Sequence, residues 1–269
     1  MNGFSKKEKH DRAVNLLYVL PMLAIFLLFI LYPITQVFYM SFFERKVNGS
    51  MIFVGLQNFA DLFANPDTPR MFKNTFLWVF VGVAFKLLLG LFMALILYKK
   101  FLGKKMMTAI MLIPYAMPAA VSCMIWRLMY NPMFGHITQF LMDTHILGLP
   151  VDFLGNSKTS LIAVMIVNIW AVAPFCALNI LSTMYSIPSY IYEAARIDGM
   201  SEYQIWYRVM LPLSKPALST LLIFTFVNTW NDFLGPLIYL TTESKKTLQL
   251  GLRMFISQFG SEYGLIMAA

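Results

Sequence analysis

Long apolar runs separated by short polar intervals make up almost the whole chain, and this pattern predicts membrane-spanning helices. A bilayer core is crossed by about 20 apolar residues in a helix, and five runs reach that length. The predicted spans are residues 14–34, 72–98, 106–130, 160–184 and 216–240. A further run, residues 262–269, reads as the beginning of a sixth span that stops after about two turns. We therefore expect an all-α integral membrane protein with six spans, the last one truncated in this sequence.

The composition supports this interpretation. The chain has 269 residues, of which 59% are hydrophobic and 13% are charged, whereas soluble domains have roughly 25% charged residues. No stretch of soluble composition is long enough to form a domain of its own, so we interpret residues 1–13 as a cytoplasmic segment and residues 14–269 as one transmembrane domain. The net charge of +8 fits the basic cytoplasmic loops of a membrane protein and does not require a nucleic-acid partner.

The positions of lysine and arginine predict the orientation of the spans. Basic residues crowd two places, the segment before the first span and the short loop after the second. They are Lys6, Lys7, Lys9, Arg12, Lys99, Lys100, Lys104 and Lys105. Cytoplasmic loops carry such an excess, so we expect the N-terminus in the cytoplasm. Alternation of the spans then places residues 131–158 outside and residues 187–215 inside.

A polar island interrupts the apolar pattern within this last loop, with the sequence YEAARIDGMSEYQIWYRVMLP over residues 192–212. Ser189 is a predicted helix cap, and Glu193 in the early turns suits the helix dipole. Gly199 permits a left-handed turn that ends this helix, and Ser201 is placed to cap a second one. Pro212 is expected to close the unit before the next span. The island thus predicts two short helices joined by a turn.

The spacing within this island resembles a known family signature. The residues Glu193, Ala194, Ala195, Gly199, Val209, Leu211 and Pro212 match the pattern EAA–xxx–G–x9–I–x–LP, with valine in place of the usual isoleucine. That signature belongs to permease subunits of ATP-binding-cassette (ABC) importers. The longer string EAARIDGMS…LPLSKPAL is similar to the carbohydrate-uptake branch, the maltose- and glycerol-phosphate-type permeases. The resemblance implies the transmembrane fold of a type I ABC importer.

The resemblance also implies a role for the island and a set of partners. The loop, about residues 187–215, would be the coupling helix that docks on an ATPase subunit. The implied coupling residues are Glu193, Ala194, Ala195, Arg196, Asp198, Gly199, Leu211 and Pro212. Small alanine side chains would allow close approach to the ATPase. The partners would be a second permease subunit in a heterodimer, two ABC ATPase subunits that use ATP and Mg, and an extracellular or periplasmic substrate-binding protein, all at a prokaryotic inner membrane. This chain itself would bind no cofactor.

Polar residues inside the spans are the candidates for a solute pathway, because such residues are costly in a bilayer. One cluster comprises Asn228, Trp230, Asn231 and Asp232, and a second group comprises Asn168, Trp170, Phe175, Asn179 and Tyr115. Amides, a carboxylate and aromatic faces together suit a sugar. For the first cluster, hydrogen bonding between helices is the alternative interpretation. For Lys86 in the second span, two interpretations remain, namely structural pairing with another residue and lining of the pathway.

The sequence argues against an enzyme. It contains no GxxxxGK[ST] phosphate loop for ATP hydrolysis, and its three histidines are scattered without metal-ligand spacing. A self-sufficient secondary transporter is one alternative, but it would need an inverted repeat and intramembrane titratable groups. A membrane scaffold without a transport role is another, and a permease for a non-sugar solute such as glycerol phosphate is a third.

Overall fold

The computed structural model describes residues 6–46, 50–146, 148–240, 245–252 and 267, and these residues are mostly helical. They form two compact units. The first contains the described residues up to Thr68 together with those from Leu252 onward, and the second is Pro69–Gly251. The predicted sixth span at residues 262–269 lies outside the described residues except for Met267.

The first unit is built on one long apolar helix. It comprises α1 (Lys6–Phe26), a π-helical turn (Leu27–Leu31) and α2 (Tyr32–Met40). A short antiparallel hairpin, β1 (Phe43–Arg45) and β2 (Met51–Phe53), and helix α3 (Gln57–Ala64) follow. The Asn58 side chain donates a hydrogen bond of 2.9 Å to the Ser41 carbonyl, which fastens α3 to the end of α2.

The second unit contains the remaining helices. They are α4 (Thr68–Phe76), a π-helical turn (Leu77–Val81), α5 (Gly82–Tyr98), α6 (Lys104–Ala116), α7 (Ala119–Met129), α8 (His136–Asp143), α9 (Ser160–Ser186), α10 (Ser189–Ile197), α11 (Glu202–Ile205), a π-helical turn (Trp206–Met210), α12 (Leu211–Trp230) and α13 (Leu234–Tyr239). Within the described residues, four helical stretches are long and apolar enough to cross a membrane: Val14–Met40, Thr68–Tyr98, Ser160–Ser186 and Glu202–Tyr239. They correspond to the first, second, fourth and fifth predicted spans.

The third predicted span is broken. Helices α6 and α7 meet at an angle of 94°, so the span predicted over residues 106–130 is two helices and not a continuous one. Pro114 lies near the end of α6, and Pro118 sits directly before α7 with an extended ψ of 132°. Each proline removes a backbone donor, and the residue before Pro118, Met117, is extended with ψ 139°. The result is a sharp corner between the two helices.

Helices α5 and α9 form the centre of the second unit. Gly90 of α5 lies so close to α9 that a Cβ atom there would be 2.7 Å from Cβ of Cys176 and 3.2 Å from the Ala173 carbonyl oxygen. Glycine is therefore required for this helix contact. Lys86, one turn earlier on α5, is 1% exposed. Its Nζ donates a hydrogen bond of 2.7 Å to the Thr229 hydroxyl on α12, which agrees with structural pairing.

The helix that carries the polar island continues into the next span, contrary to the prediction that Pro212 closes the unit. The chain is helical from Glu202 through the π-helical turn to Trp230. Pro212 has no N–H to bond the Arg208 carbonyl and would clash with it in a regular α-helix. Arg208 lies in the π-helical turn, where the Leu211 N–H bonds Trp206, five residues earlier. This wider turn accommodates the proline without ending the helix. The helix ends instead at Asn231, before Asp232.

Candidate functional site

The polar island folds as the predicted pair of short helices, α10 and α11, which we call the α10–α11 unit. Gly199 joins them with φ +76°, a left-handed conformation that glycine adopts without cost. Ser201 caps α11 in a capping box: its hydroxyl accepts from the Gln204 N–H, and the Gln204 side chain accepts from the Ser201 N–H. Both interactions fix the exit of the chain from the turn.

The predicted cap at Ser189 is wrong. Ser189 is the first residue of α10, and Pro188 with ψ 138° occupies the capping position without a side-chain hydrogen bond. Proline fixes φ at a value suited to a helix start, so the sequence Ile187–Pro188 already directs the chain into the helix. The Pro188 carbonyl accepts from the Ile191 N–H.

The paired alanines of α10 face opposite environments. Glu193 and Ala194 are exposed, whereas Ala195 is 6% exposed and packs within the hydrophobic cluster beneath. Ala195 is therefore not available for close approach of a partner, and the expectation for Ala194 stays a prediction. Arg196 and Asp198 are also exposed, and the Arg196 Nε donates to Glu202 at 2.8 Å, which raises the pKa of the guanidinium.

Tyr192 ties α10 to the long helices. Its hydroxyl donates to the Met184 carbonyl of α9 at 3.2 Å, and its ring lies 6.4 Å from that of Tyr98 at the end of α5. Burial raises the pKa of Tyr192 to about 12, so the hydroxyl stays protonated and can donate. Leu211, which is half-buried, and Pro212, which is exposed, lie beyond the π-helical turn at the start of α12.

A first cavity of about 210 Å³ lies at the corner between α6 and α7. Of the predicted pathway residues, Tyr115, Asn168 and Asp232 line it. Asp232 follows the end of α12, where its carboxylate accepts from the Asn168 amide at 2.8 Å and from the Gly235 N–H at 3.4 Å. The two predicted polar groups are thus brought together across α9 and α12. In the described chain, Asp232 is the only acidic or basic side chain in this lining.

Three buried polar side chains in the same lining were not identified from the sequence. The Trp78 indole N–H and the Ser122 hydroxyl have no hydrogen-bond partner. The Tyr239 hydroxyl is likewise unsatisfied, with only the thiol of Cys123, a weak partner, beside it. Each of these three residues is at most 4% exposed. Buried polar groups are normally satisfied, so these groups leave the cavity able to bond a polar occupant.

A second cavity, of about 530 Å³, lies between α9 and α12. The predicted residues Phe175, Asn179 and Asn228 line it. The sequence interpretation did not single out two hydroxyls in the lining, Thr183 and Thr220. They lie at helical spacing from Asn179 and Asn228, and this spacing in the sequence could have predicted that they share a helix face with these asparagines. Within the described residues, this lining contains no charged side chain.

Three predicted pathway residues line neither cavity in the described structure. Trp170 makes an edge contact with Trp126 at 5.2 Å, and Trp230 stacks on Phe226 at 6.1 Å. Asn231 is exposed, and its amide donates to the Val227 carbonyl of its own helix at 3.0 Å. Their observed contacts are packing and capping, so the structure does not bring them together with the other candidates.

Comparisons with known proteins show the family of the chain. Residues 86–269 match the family described as binding-protein-dependent transport system inner membrane component. The chain is 35% identical over 248 residues to the trehalose/maltose transport system permease protein MalF of Thermococcus litoralis, covering 90% of this chain and 81% of that protein. It is 27% identical to the sulfoquinovosyl glycerol transport system permease protein SmoG of Agrobacterium fabrum, covering 96% and 87% of the two chains.

A solved structure shows the same fold. The chain superposes on the crystal structure of a bacterial ABC transporter involved in the import of the acidic polysaccharide alginate with a TM-score of 0.77, covering 98% of this chain and 91% of that one at 21% identity. The fold is therefore that of a type I ABC importer transmembrane domain. Together with the family match over residues 86–269, this identifies the chain as a member of the binding-protein-dependent inner membrane components, a transmembrane permease subunit of an ABC importer.

Proposed function

We propose that this permease carries an uncharged sugar or oligosaccharide through the two cavities along α9 and α12. The observation that supports this most directly is the chemistry of the linings. Amides, hydroxyls and aromatic rings are combined there, and a sugar offers hydroxyls to the polar groups and C–H faces to the rings.

The charge of the cavities argues for a neutral solute over an anion. Relatives include a trehalose/maltose permease and an sn-glycerol-3-phosphate permease, UgpA of Pectobacterium atrosepticum, at 29% identity. A phosphate or uronate passing through a low-dielectric site needs a nearby cation. Among the described lining residues the only acidic or basic side chain is Asp232, and a carboxylate repels an anion. Glycerol phosphate is therefore the less favoured solute.

The proposed assembly contains a second permease subunit, two ATPase subunits that hydrolyse ATP with Mg, and a substrate-binding protein on the outer face. The N-terminus and the α10–α11 unit would face the cytoplasm, where Glu193, Ala194, Arg196, Asp198 and Gly199 would dock on an ATPase. Binding-protein docking outside and ATP-driven closure inside would then bias one of two membrane conformations, which is alternating access.

The test is ATPase activity of the complete complex in proteoliposomes with its binding protein, measured across a panel of solutes. We expect stimulation by a neutral di- or oligosaccharide and none by sn-glycerol-3-phosphate or a uronic acid oligomer. Stimulation by the anions alone would overturn the proposed solute class. Transport without any ATPase would overturn the proposed energy source. Glu193→Lys should abolish stimulation, while Lys105→Met, an exposed control, should leave it unchanged.

A further inference from the structure

The two cavities follow one another along the facing surfaces of α9 and α12. On α9, Val172 lines the first cavity and Phe175 lines the second. Asn228 on α12 lines the second cavity, and Asp232, just after α12, lines the first. Residues three or four apart lie on one helix face, so the boundary between the cavities crosses both helices within a single turn.

An aromatic pair lies at this boundary. The ring of Tyr115, from the first cavity, stacks on the ring of Phe175, from the second, with centroids 5.1 Å apart and planes inclined by 23°. Among the described residues, none lines both cavities. The stacked rings therefore lie between the two cavity linings.

We propose that Tyr115 and Phe175 form an aromatic gate between the two cavities. This inference rests on the proposed transport function. Stacked rings suit a gate because they close a passage with apolar surface, and because their contact is weak enough to be broken and remade. Once the rings are separated, their faces offer the C–H edges of a sugar a surface to slide along.

Helix α6 is built to move the Tyr115 half of the gate. Tyr115 is the second-last residue of α6, and the chain turns by 94° directly after it. A break of this kind lets the end of α6 that carries Tyr115 shift without bending α7. At the opposite end, the Lys104 Nζ bonds the Tyr185 hydroxyl and lies 5.2 Å from the ring centroid. The Lys104 end of α6 is therefore held to the end of α9, and the Tyr115 end lies at the break.

The held end of α6 is in contact with the α10–α11 unit through three tyrosines. The Tyr185 ring lies 5.4 Å from Tyr98, and the Tyr98 ring lies 6.4 Å from Tyr192 of α10. A displacement of α10 would thus reach Lys104 through packed rings. This continuous contact gives the α10–α11 unit a physical route to the gate.

The native cysteines provide a direct test. Cys123 lines the first cavity, and the chain has only two cysteines, so Cys176→Ala leaves Cys123 as its single thiol. A cationic methanethiosulfonate is added to the complete complex in proteoliposomes, from each side in turn, and modification of Cys123 is followed by mass spectrometry of this chain. When the reagent is added from the side to which the second cavity opens, Tyr115→Ala and Phe175→Ala should each raise the rate of Cys123 modification about tenfold. This factor corresponds to a stacking energy of about 1.4 kcal/mol.

Two controls make the labelling result specific. Tyr115→Phe keeps the stacked ring and should keep the slow rate. Phe92→Ala removes an exposed ring of α5 that lines neither cavity and should also leave the rate unchanged. Equal rates in the parent and in both alanine variants would overturn the gate.

A crosslink tests the gate during transport. In a Cys123→Ala, Cys176→Ala background, Tyr115→Cys and Phe175→Cys are joined by a short bifunctional methanethiosulfonate. Crosslinking should lower solute uptake below the level of the same untreated double-cysteine variant, and reductant should restore that level, whereas treatment of each single-cysteine variant should lower its uptake less. Full uptake by the crosslinked complex would overturn the gate. If the parent complex with its native residues takes up no solute, the proposed transport function fails, and the labelling rates still decide the gate.

Discussion

The buried side chain of Lys86 on α5 donates a hydrogen bond of 2.7 Å from Nζ to the hydroxyl of Thr229 on α12, 143 residues away. Thr229 in turn donates to the Thr225 carbonyl at 2.7 Å, and the Asp232 carboxylate is close enough to attract the Lys86 charge. The hydrogen bonds and this attraction hold Lys86 among the packed helices of one subunit, where it lines neither cavity in the described structure.

Removal of this cation should destabilise the protein. Lys86→Met removes the hydrogen bond to Thr229 and the attraction to Asp232, and we expect a loss of stability of about 1.5–3 kcal/mol because a buried hydrogen bond from a charged group is lost. The measurement is the thermal unfolding midpoint of the purified protein in detergent. Adding Asp232→Asn should restore part of the loss, since a neutral amide needs no counter-charge. Equal midpoints for Lys86→Met and the exposed control Lys105→Met would contradict this role.

The close contact of α5 and α9 at Gly90 should not tolerate even a methyl group. A Cβ there would lie 2.7 Å from Cβ of Cys176 and 3.0 Å from the Ala177 nitrogen, and overpacking of this kind costs about 1–3 kcal/mol. Gly90→Ala is therefore expected to lower the unfolding midpoint. Gly148→Ala is the matched control, because a Cβ at Gly148 meets no atom within 4 Å. An unchanged unfolding midpoint for Gly90→Ala would contradict this prediction, because α5 and α9 would then admit the methyl group without a loss of stability.

Substitutions at the two alanines of α10 should distinguish an effect on ATPase docking from an effect on the stability of the fold. Ala194→Leu adds bulk to an exposed surface, so we expect the unfolding midpoint to stay the same while co-purification with the ATPase subunit falls. Ala195→Leu adds the same bulk to a buried position that is 6% exposed, so the midpoint should fall by the equivalent of about 1–3 kcal/mol. The reverse pattern in the two assays would contradict the assigned faces.

Glycine at position 199 should be required for the left-handed backbone conformation of the turn and not for lack of space. A Cβ there meets nothing within 4 Å, but φ +76° costs a residue with a side chain about 1–2 kcal/mol, and asparagine less than most. We expect Gly199→Ala to weaken ATPase binding about fivefold or more, and Gly199→Asn to weaken it less. Titration of the reconstituted permease with ATPase subunit gives both values. Equal loss in the two variants would point to a side-chain clash with the partner.

The sequence predicts the elements of this protein better than their contacts. Gly199 and Ser201 were predicted correctly because turn and cap chemistry depends on neighbouring residues. The prolines at 114 and 118 predicted a deviation, but the 94° corner depends on packing that no local pattern contains. Trp78, Ser122 and Tyr239 were missed because they lie in apolar runs typical of lipid-facing or core residues. Only the fold brings them to the same cavity as Asp232.

The π-helical turn Trp206–Met210 sets the rotational phase between the α10–α11 unit and the cavity-lining face of α12. Each residue of an α-helix advances the chain by about 100° around the axis. Deleting one residue from this turn would swing α11 and Gly199 by about that angle relative to Asn228, while every side chain elsewhere stayed the same. The rotation of α11 relative to the cavity-lining face of α12 thus depends on the number of residues in a turn that lines neither cavity in the described structure.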